Sequence, residues 1–346
     1  MTLPSTGKIT AANIRDEFGP TTESGEKVAI GSYRIDENYG ELTERRLDDG
    51  IPGPGSSISF QDFRGKKLNI IIDYYTSTYD NNTRESEGNN AMSIRHRFTS
   101  GTGVHVVGGY RSKPSSSSEI KTIVHVNRKL GGEKSSDNQK CALRTGTGWE
   151  SDTEMFIDVG NEGRIYGAGG NGGQGGDVDS SGHDGQTGTS GLGVQVDGTV
   201  VNIASEGIIR AGFGGGGGGG AGRQNDKGSE RTVGGGGGGG GQGFPAGEGG
   251  SEGNADHGQD AGTDGSLNES GEGGGGGNNG NQAYSGAGGE GGQNGENANN
   301  GSGGNHGAGA GGGNGAAIRR TSGISVTINK DSGAEIVGSQ NATGVS

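Results

Sequence analysis

The stretch GFGGGGGGGAG, Gly212–Gly222, is followed by RQNDKGSERTV, Arg223–Val233, and then by eight consecutive glycines, Gly234–Gly241. Such a segment has almost no side chains to bury. Glycine loses more backbone entropy on folding than any other residue, so a run of this kind is either a flexible linker or a backbone whose amides are paired elsewhere. Most of the 86 glycines in the 346-residue chain lie between Gly160 and Gly315, and from Phe213 onward that region holds only Phe213, Val233, Phe244, Leu267 and Tyr284 as large apolar residues. A collagen helix needs strict Gly-X-Y triplets rich in proline, and the chain has 6 prolines. The ordered alternative is a sheaf of polyproline-II-like strands, a polyglycine-II-type bundle, in which neighbouring backbones touch and each N–H reaches a C=O on the next strand. At a rise of roughly 3.1 Å per residue, an eight-residue run spans about 25 Å.

The polar clusters between glycine tracts, Arg223–Val233, Ser251–Ser270 and Asn278–Gly286, then fall at the ends of the bundle as loops. Loops on a rigid scaffold are where recognition concentrates. The candidate receptor-binding residues are Arg223, Asp226, Lys227, Arg231, Phe244, Asp256, His257, Leu267 and Tyr284. Three echoed segments frame the region: MFIDVGNEGRIYGAGG from Met155, VVNIASEGIIRAGFGG from Val200 and SVTINKDSGAEIVGSQ from Ser325. Each reads as a strand, a polar turn ending in Gly163, Gly207 or Gly333, and then Ile165, Ile209 or Ile336, the third copy with one extra residue on either side of its glycine. They are expected to close the bundle at its base, within a glycine-rich domain over 160–346.

Residues 1–66 read as a duplicated module. LPSTGKITAANIRDEFG from Leu3 and IPGPGSSISFQDFRG from Ile51 align over Ile9–Arg15 and Ile58–Arg64, with Thr10 or Ser59 placed to cap a short helix and Gly19 or Gly65 placed to end it. The apolar sets, Leu3, Ile9, Ile14 and Phe18 against Ile51, Ile58, Phe60 and Phe63, are too small to stand alone and pack on each other or on a partner. With Pro4, they are the candidate attachment residues. LPSTG at Leu3–Gly7 has the letters of a sortase signal but not its downstream hydrophobic stretch, and is read as coincidence.

Over 67–159 the runs LNIIIDYY, MSIRHRF, VHVVGGYR, EIKTIVHVN, KCALR and EMFIDV are short, rich in β-branched residues and separated by polar loops. They predict a small antiparallel β-sandwich, so that the chain as a whole is mainly β. His96, His105 and His125 fall in three of these strands with no zinc spacing, and they are read as strand histidines. Cys141, the one cysteine, has no disulfide partner and is expected to be a small buried thiol.

A net charge of −13 argues against nucleic acid as a partner. Nor does any apolar run approach the roughly 20 residues that span a bilayer, and Met1 opens a polar segment without a signal-peptide core. Synthesis in a cytoplasm is the expectation. GGQGGDVDS from Gly172 approaches a calcium-binding nonapeptide but puts Asp179 where an apolar residue belongs, and the P-loop GKS or GKT is missing. No nucleophile, base and oxyanion donor can be nominated together, so neither an enzyme nor a cofactor is expected.

HVVGGYRSKP from His105, CALRTGTGW from Cys141 and GRIYGAGGNGGQGG from Gly163, together with the capped N-terminal units, resemble a family of virion structural proteins of tailed phages, particularly contractile-tailed phages of cyanobacteria. The glycine-rich half is also similar, in composition and layout, to the distal adhesins of long tail fibres in enterobacterial phages. That resemblance implies a virion protein made in the host cytoplasm. It would attach through its N-terminal module to other tail or baseplate proteins and present loops to a host surface protein or glycan. The competing implication is a purely structural tail or baseplate component, and an ice-binding or cell-surface glycine-rich protein is a third class.

Overall fold

Ile165, Ile209 and Ile336, the isoleucines that follow the turn in each echoed segment, stand side by side on adjacent parallel strands. They belong to a computed structural model that describes residues 3–18, 30, 51–52, 55–66, 70–74, 92–93, 104–107, 121–147, 149, 153–226, 229–255, 259–277 and 284–345. In chain order the strands are β1 (Ile70–Tyr74), β2 (Met92–Ser93), β3 (Val104–Val107), β4 (Lys121–Val126), β5 (Lys129–Gly131), β6 (Cys141–Arg144), β7 (Glu154–Val159), β8 (Arg164–Tyr166), β9 (Ser190–Val194), β10 (Thr199–Ile203), β11 (Ile208–Arg210), β12 (Gly222–Asp226), β13 (Ser229–Val233), β14 (Ile318–Arg320), β15 (Val326–Lys330), β16 (Glu335–Val337) and β17 (Ala342–Thr343). Helix is confined, among the described residues, to α1 (Ala11–Phe18) and short 3-10 pieces such as Phe60–Phe63. None is long and apolar enough to cross a membrane.

The chain winds as a three-sided parallel solenoid. Its first sheet has the order β15-β10-β7-β4-β1-β3, its second β16-β11-β8-β5 and its third β17-β14-β9-β6-β2. Successive turns pass through β4-β5-β6, β7-β8-β9, β10-β11-β14 and β15-β16-β17, and every pairing in the three sheets is parallel except β1 with β3. Alternation along each strand points one row inward: Met155, Ile157 and Val159 are buried while Glu154, Phe156 and Asp158 are not. Val124, Ile157 and Val201 stack in register, as do Leu130, Ile165 and Ile209 on the second sheet and Leu143, Leu192 and Ile318 on the third. These rows form one core cluster. Burial of a Val, Leu or Ile side chain stabilises by about 1.5–3 kcal/mol, and here lies the conventional hydrophobic contribution.

Two sequence expectations are corrected. The described strands over 67–159 form no antiparallel sandwich, since β4 pairs in parallel with both β1 and β7. Inward–outward alternation is common to both arrangements; direction is set by whether the chain returns by a hairpin or around the other two sides. The third echoed segment also lacks extra length: Ala334 occupies the place of Gly163 and Gly207, because Glu335 pairs with Ile208, which pairs with Arg164. Gly333 stands one position earlier, with φ +98.

The glycine-rich chain is inserted between the second and third sheets. It leaves β8 as segment 167–176 and returns to β9 as 180–189. After β11 it leaves again as 211–221 and returns as 234–243, then continues through 247–255, 259–267, 270–277, 284–293, 297–303 and 306–317 before entering β14. Hydrogen bonds in 211–221 change partner with a period of three. Gly215 and Gly218 donate to Gln186 and His183, Gly216 and Gly219 to Gly239 and Gly236, and Gly217 and Gly220 to Asn299 and Ser302. The carbonyls of the same segment accept from Gly173 and Gly176, from Gly289 and Gly286, and from Gly312 and Gly309. Segment 234–243 is likewise enclosed on every side, donating to 167–176, 259–267 and 284–293 and accepting from 211–221, 247–255 and 270–277.

That enclosure explains the two unbroken runs. A Cβ on Gly217 would overlap the carbonyl oxygen of Gly309, and one on Gly237 that of Gly250. Segments at the edge of the bundle keep one open side and need glycine at fewer positions, as in Gly288, Gly289, Glu290, Gly291, Gly292, Gln293. This triplet pattern is the sequence signal for the bundle's perimeter that the reading by runs passed over.

In the N-terminal module, Thr10 and Asn13 cap α1 reciprocally: Thr10 N–H donates to Asn13 Oδ1 at 3.0 Å and Asn13 N–H to Thr10 Oγ1 at 3.2 Å. Ser59 and Asp62 do the same for the second unit, which forms only one 3-10 turn. Leu3, Ile14, Ile51 and Phe63 make one small core with Ile9, Ile30 and Ile58 half-buried around it. The two units therefore pack on each other. Pro4 and Phe60 stay exposed, Phe60 by 39%; Gly19 lies outside the described residues.

Candidate functional site

The insertion has two ends of opposite character. At the solenoid end, the turns at 243–246, 266–269 and 293–296 are locked to the sheets and to one another. Gly132 N–H donates to the Phe244 carbonyl at 3.0 Å, and the Phe244 ring meets Tyr166 edge-on with centroids 6.5 Å apart. Arg210 Nη1 donates to the Leu267 carbonyl at 3.0 Å. Gln242, fully buried, donates from Nε2 to the same carbonyl at 3.1 Å while its Oε1 accepts from Asn294 N–H at 2.9 Å. Arg210 also sits 5.4 Å above the Tyr166 ring, and burial pushes the Tyr166 hydroxyl pKa up despite that neighbouring charge.

At the far end, the two enclosed segments, 211–221 and 234–243, run into the antiparallel hairpin β12–β13, with Asp226 paired to Ser229 beside its turn. Around the hairpin lie the turn 177–180, the turn 303–306 and Tyr284. Asp179 adopts a left-handed φ of +62 and ion-pairs with the Arg223 guanidinium, while His306 Nε2 lies 3.6 Å from its other oxygen. Arg223 N–H donates to Asn305 Oδ1 at 2.9 Å, and Asn254 N–H to Asp177 Oδ1 at 2.7 Å. Turns far apart in sequence are thereby tied into one face. Two of the large hydrophobic side chains left exposed among the described residues belong to it, Val178 at 41% and Tyr284 at 58%. A face that combines a fixed ion-paired cluster with exposed apolar groups is suited to binding.

Of the residues nominated from the sequence, Arg223, Asp226, Arg231 and Tyr284 are brought together here. Phe244 and Leu267 are not: both sit at the solenoid end, a correction to their grouping with the tips. Loop composition is similar at both ends, so it could not tell them apart. Lys227, Asp256 and His257 lie outside the described residues, as does His96. Asp177, Val178, Asp179, Asn305 and His306 were missed. The break of the Gly-Gly-x triplet after Asp177 is the signal that a turn lies there. Among the described residues no group of three or more His, Cys, Asp or Glu is placed to hold a metal ion.

A family model described as phage tail fibre adhesin Gp38 matches residues 71–343. A crystal structure of the gp37–gp38 adhesin tip complex of the bacteriophage S16 long tail fiber aligns with 97% of this chain and 99% of its own at 15% identity and a TM-score of 0.38. No curated protein matches.

Proposed function

The chain belongs to the phage tail fibre adhesin Gp38 family, and on that footing we propose that it binds the host surface through the far face of its glycine bundle. The observation that carries this reading is the convergence of β12–β13, the turn 177–180, the turn 303–306 and Tyr284 at the end remote from the solenoid. We read the bundle as polyglycine II. What supports that is the three-residue hydrogen-bond period and the absence of room for a Cβ at its centre. Such a lattice supplies stiffness without side chains, so that the hairpin meets its target pre-ordered and loses little entropy on binding. Attachment to the rest of the tail fibre is assigned to the N-terminal module, on whose surface Pro4 and Phe60 stay exposed. Binding rather than catalysis suits a carboxylate, Asp179, already shared between Arg223 and His306.

The test replaces residues 223–232 by a short Gly-Ser turn in one phage and combines Val178→Asp with Tyr284→Ala in another, with particle assembly and adsorption measured for both. Assembled particles whose adsorption falls at least tenfold are expected, since a few exposed anchors normally carry most of a binding energy. Wild-type adsorption by both phages would assign the protein a structural role only.

A further inference from the structure

We infer that the outward face of the first sheet is a second binding groove, one for an uncharged glycan chain, separate from the far face of the bundle. At the C-terminal ends of β4, β7, β10 and β15 the positions on the face away from the core are His125, itself buried, Asp158, Asn202 and Asn329, directly paired from strand to strand. They form a continuous polar ladder. Asn329 Nδ2 donates to Asn202 Oδ1 at 2.8 Å, Asn202 Nδ2 donates to Asp158 Oδ1 at 2.6 Å, and His125 Nδ1 lies 3.5 Å from Asp158 Oδ2. The direction of each amide is thus set in advance. With neighbouring strands about 4.8 Å apart, the ladder runs for roughly 14 Å across four turns of the solenoid.

A cleft of about 510 Å³ follows this ladder, lined also by Asn127, Asp331 and the chain at Val159, Gly160, Ile203 and Ala204, whose floor is main chain because the Val159 and Ile203 side chains belong to the solenoid core. Its size falls in the range of small-ligand sites, roughly 300–1,000 Å³. A Cβ on Gly160 would meet Asn127 Oδ1, so the glycine keeps that part of the floor low. The chemistry of the lining selects the ligand class. Asp158 and Asp331 are its charged carboxylates, and among the described residues neither Lys nor Arg lines the cleft, so phosphates and acidic sugars are disfavoured. A bound metal is disfavoured by the lack of a ligating group of three among the described residues. What fits a row of carboxylate and amide groups beside exposed main chain is a molecule carrying many neutral hydroxyl groups. Each carboxylate oxygen of Asp158 retains further acceptor capacity, and Asn329, exposed, keeps its carbonyl and a second N–H.

The test is a titration of the full chain with maltotriose, triacetylchitotriose and 3′-sialyllactose, following the side-chain amide signals of Asn202 and Asn329 and the backbone signal of Ala204 by NMR. At least one neutral trisaccharide should shift all three saturably, and the sialylated one should not. Asn329→Ala with Asp331→Ala, both exposed and therefore tolerated by the fold, should weaken the titration tenfold or more at an unchanged melting temperature. Arg223→Ala with Tyr284→Ala should leave it intact. A purely structural amide ladder would give no saturable shift with either neutral trisaccharide, and that outcome overturns the groove. So would shifts that persist in the double variant, or equal binding of the sialylated sugar.

Discussion

Gln242, fully buried between glycine bundle and solenoid, donates its side-chain N–H to the Leu267 carbonyl at 3.1 Å. Its other amide atom accepts from Asn294, so one side chain holds two turns that are otherwise separate in sequence. Gln242→Ala should lower stability by about 1–2 kcal/mol, because the Asn294 N–H loses its acceptor, the Leu267 carbonyl keeps only Arg210, and the tie between the two turns is lost. Thermal unfolding checks this. The Val178 and Tyr284 face, at the other end of the bundle, should keep its local structure in the variant.

The enclosed segments make a sharper prediction. Gly217→Ala forces a methyl into the Gly309 carbonyl and should cost about 3 kcal/mol, through displacement of a segment bonded on every side. Glu290→Ala, on the open side of 284–293, should stay within about 0.5 kcal/mol of the wild type. Denaturant titration compares the two, and hydrogen exchange over 214–220 should be slow in the wild type and in the Glu290 variant only.

Asp197 links two solenoid turns, accepting from Ser325 N–H at 2.6 Å and Ser325 Oγ at 2.8 Å. Those bonds from Ser325, first from its backbone, hold the Asp197 carboxyl below the usual carboxylate range. A depressed folded pKa contributes stability that is present above the unfolded value, about 3.9, and is lost as pH falls through the folded one. The melting-temperature gap between wild type and Asp197→Asn should therefore be full at pH 6 and close in stronger acid.

Cys141 is buried, and that burial pushes its thiol up to about 12 in spite of the nearby Arg319 and Arg144 charges. At pH 8.5 the folded protein should resist iodoacetamide, since the thiolate is the nucleophile, and labelling should appear only as the chain unfolds. Because the raised pKa favours the protonated thiol in the folded state, its contribution is full below the unfolded value, about 8.5. It is lost as pH rises from there towards 12.

Much of this was legible in the residues. The echo of Ile165, Ile209 and Ile336 is the register of the second sheet, and Thr10 and Ser59 are the caps their positions suggested. Other features were not. The alternation in EMFIDV states that one row is buried but not whether the neighbouring strand runs with it or against it. Phe244 resembles an exposed tip until Tyr166 and Gly132 are placed beside it. Val178 carries no local mark of exposure.

By itself the sequence determined where main chain must lie against main chain, since only a residue without a Cβ survives at Gly217 or Gly237. It likewise determined which residues face inward on the solenoid, through a period set by the pleat. Tertiary structure alone decided that strands return in parallel around three sides, and which turns of the insertion lie against the solenoid and which stand away from it. Those choices depend on contacts between residues as distant as Asp179 and His306, or Gln242 and Asn294, and no local pattern encodes the partner at the other end.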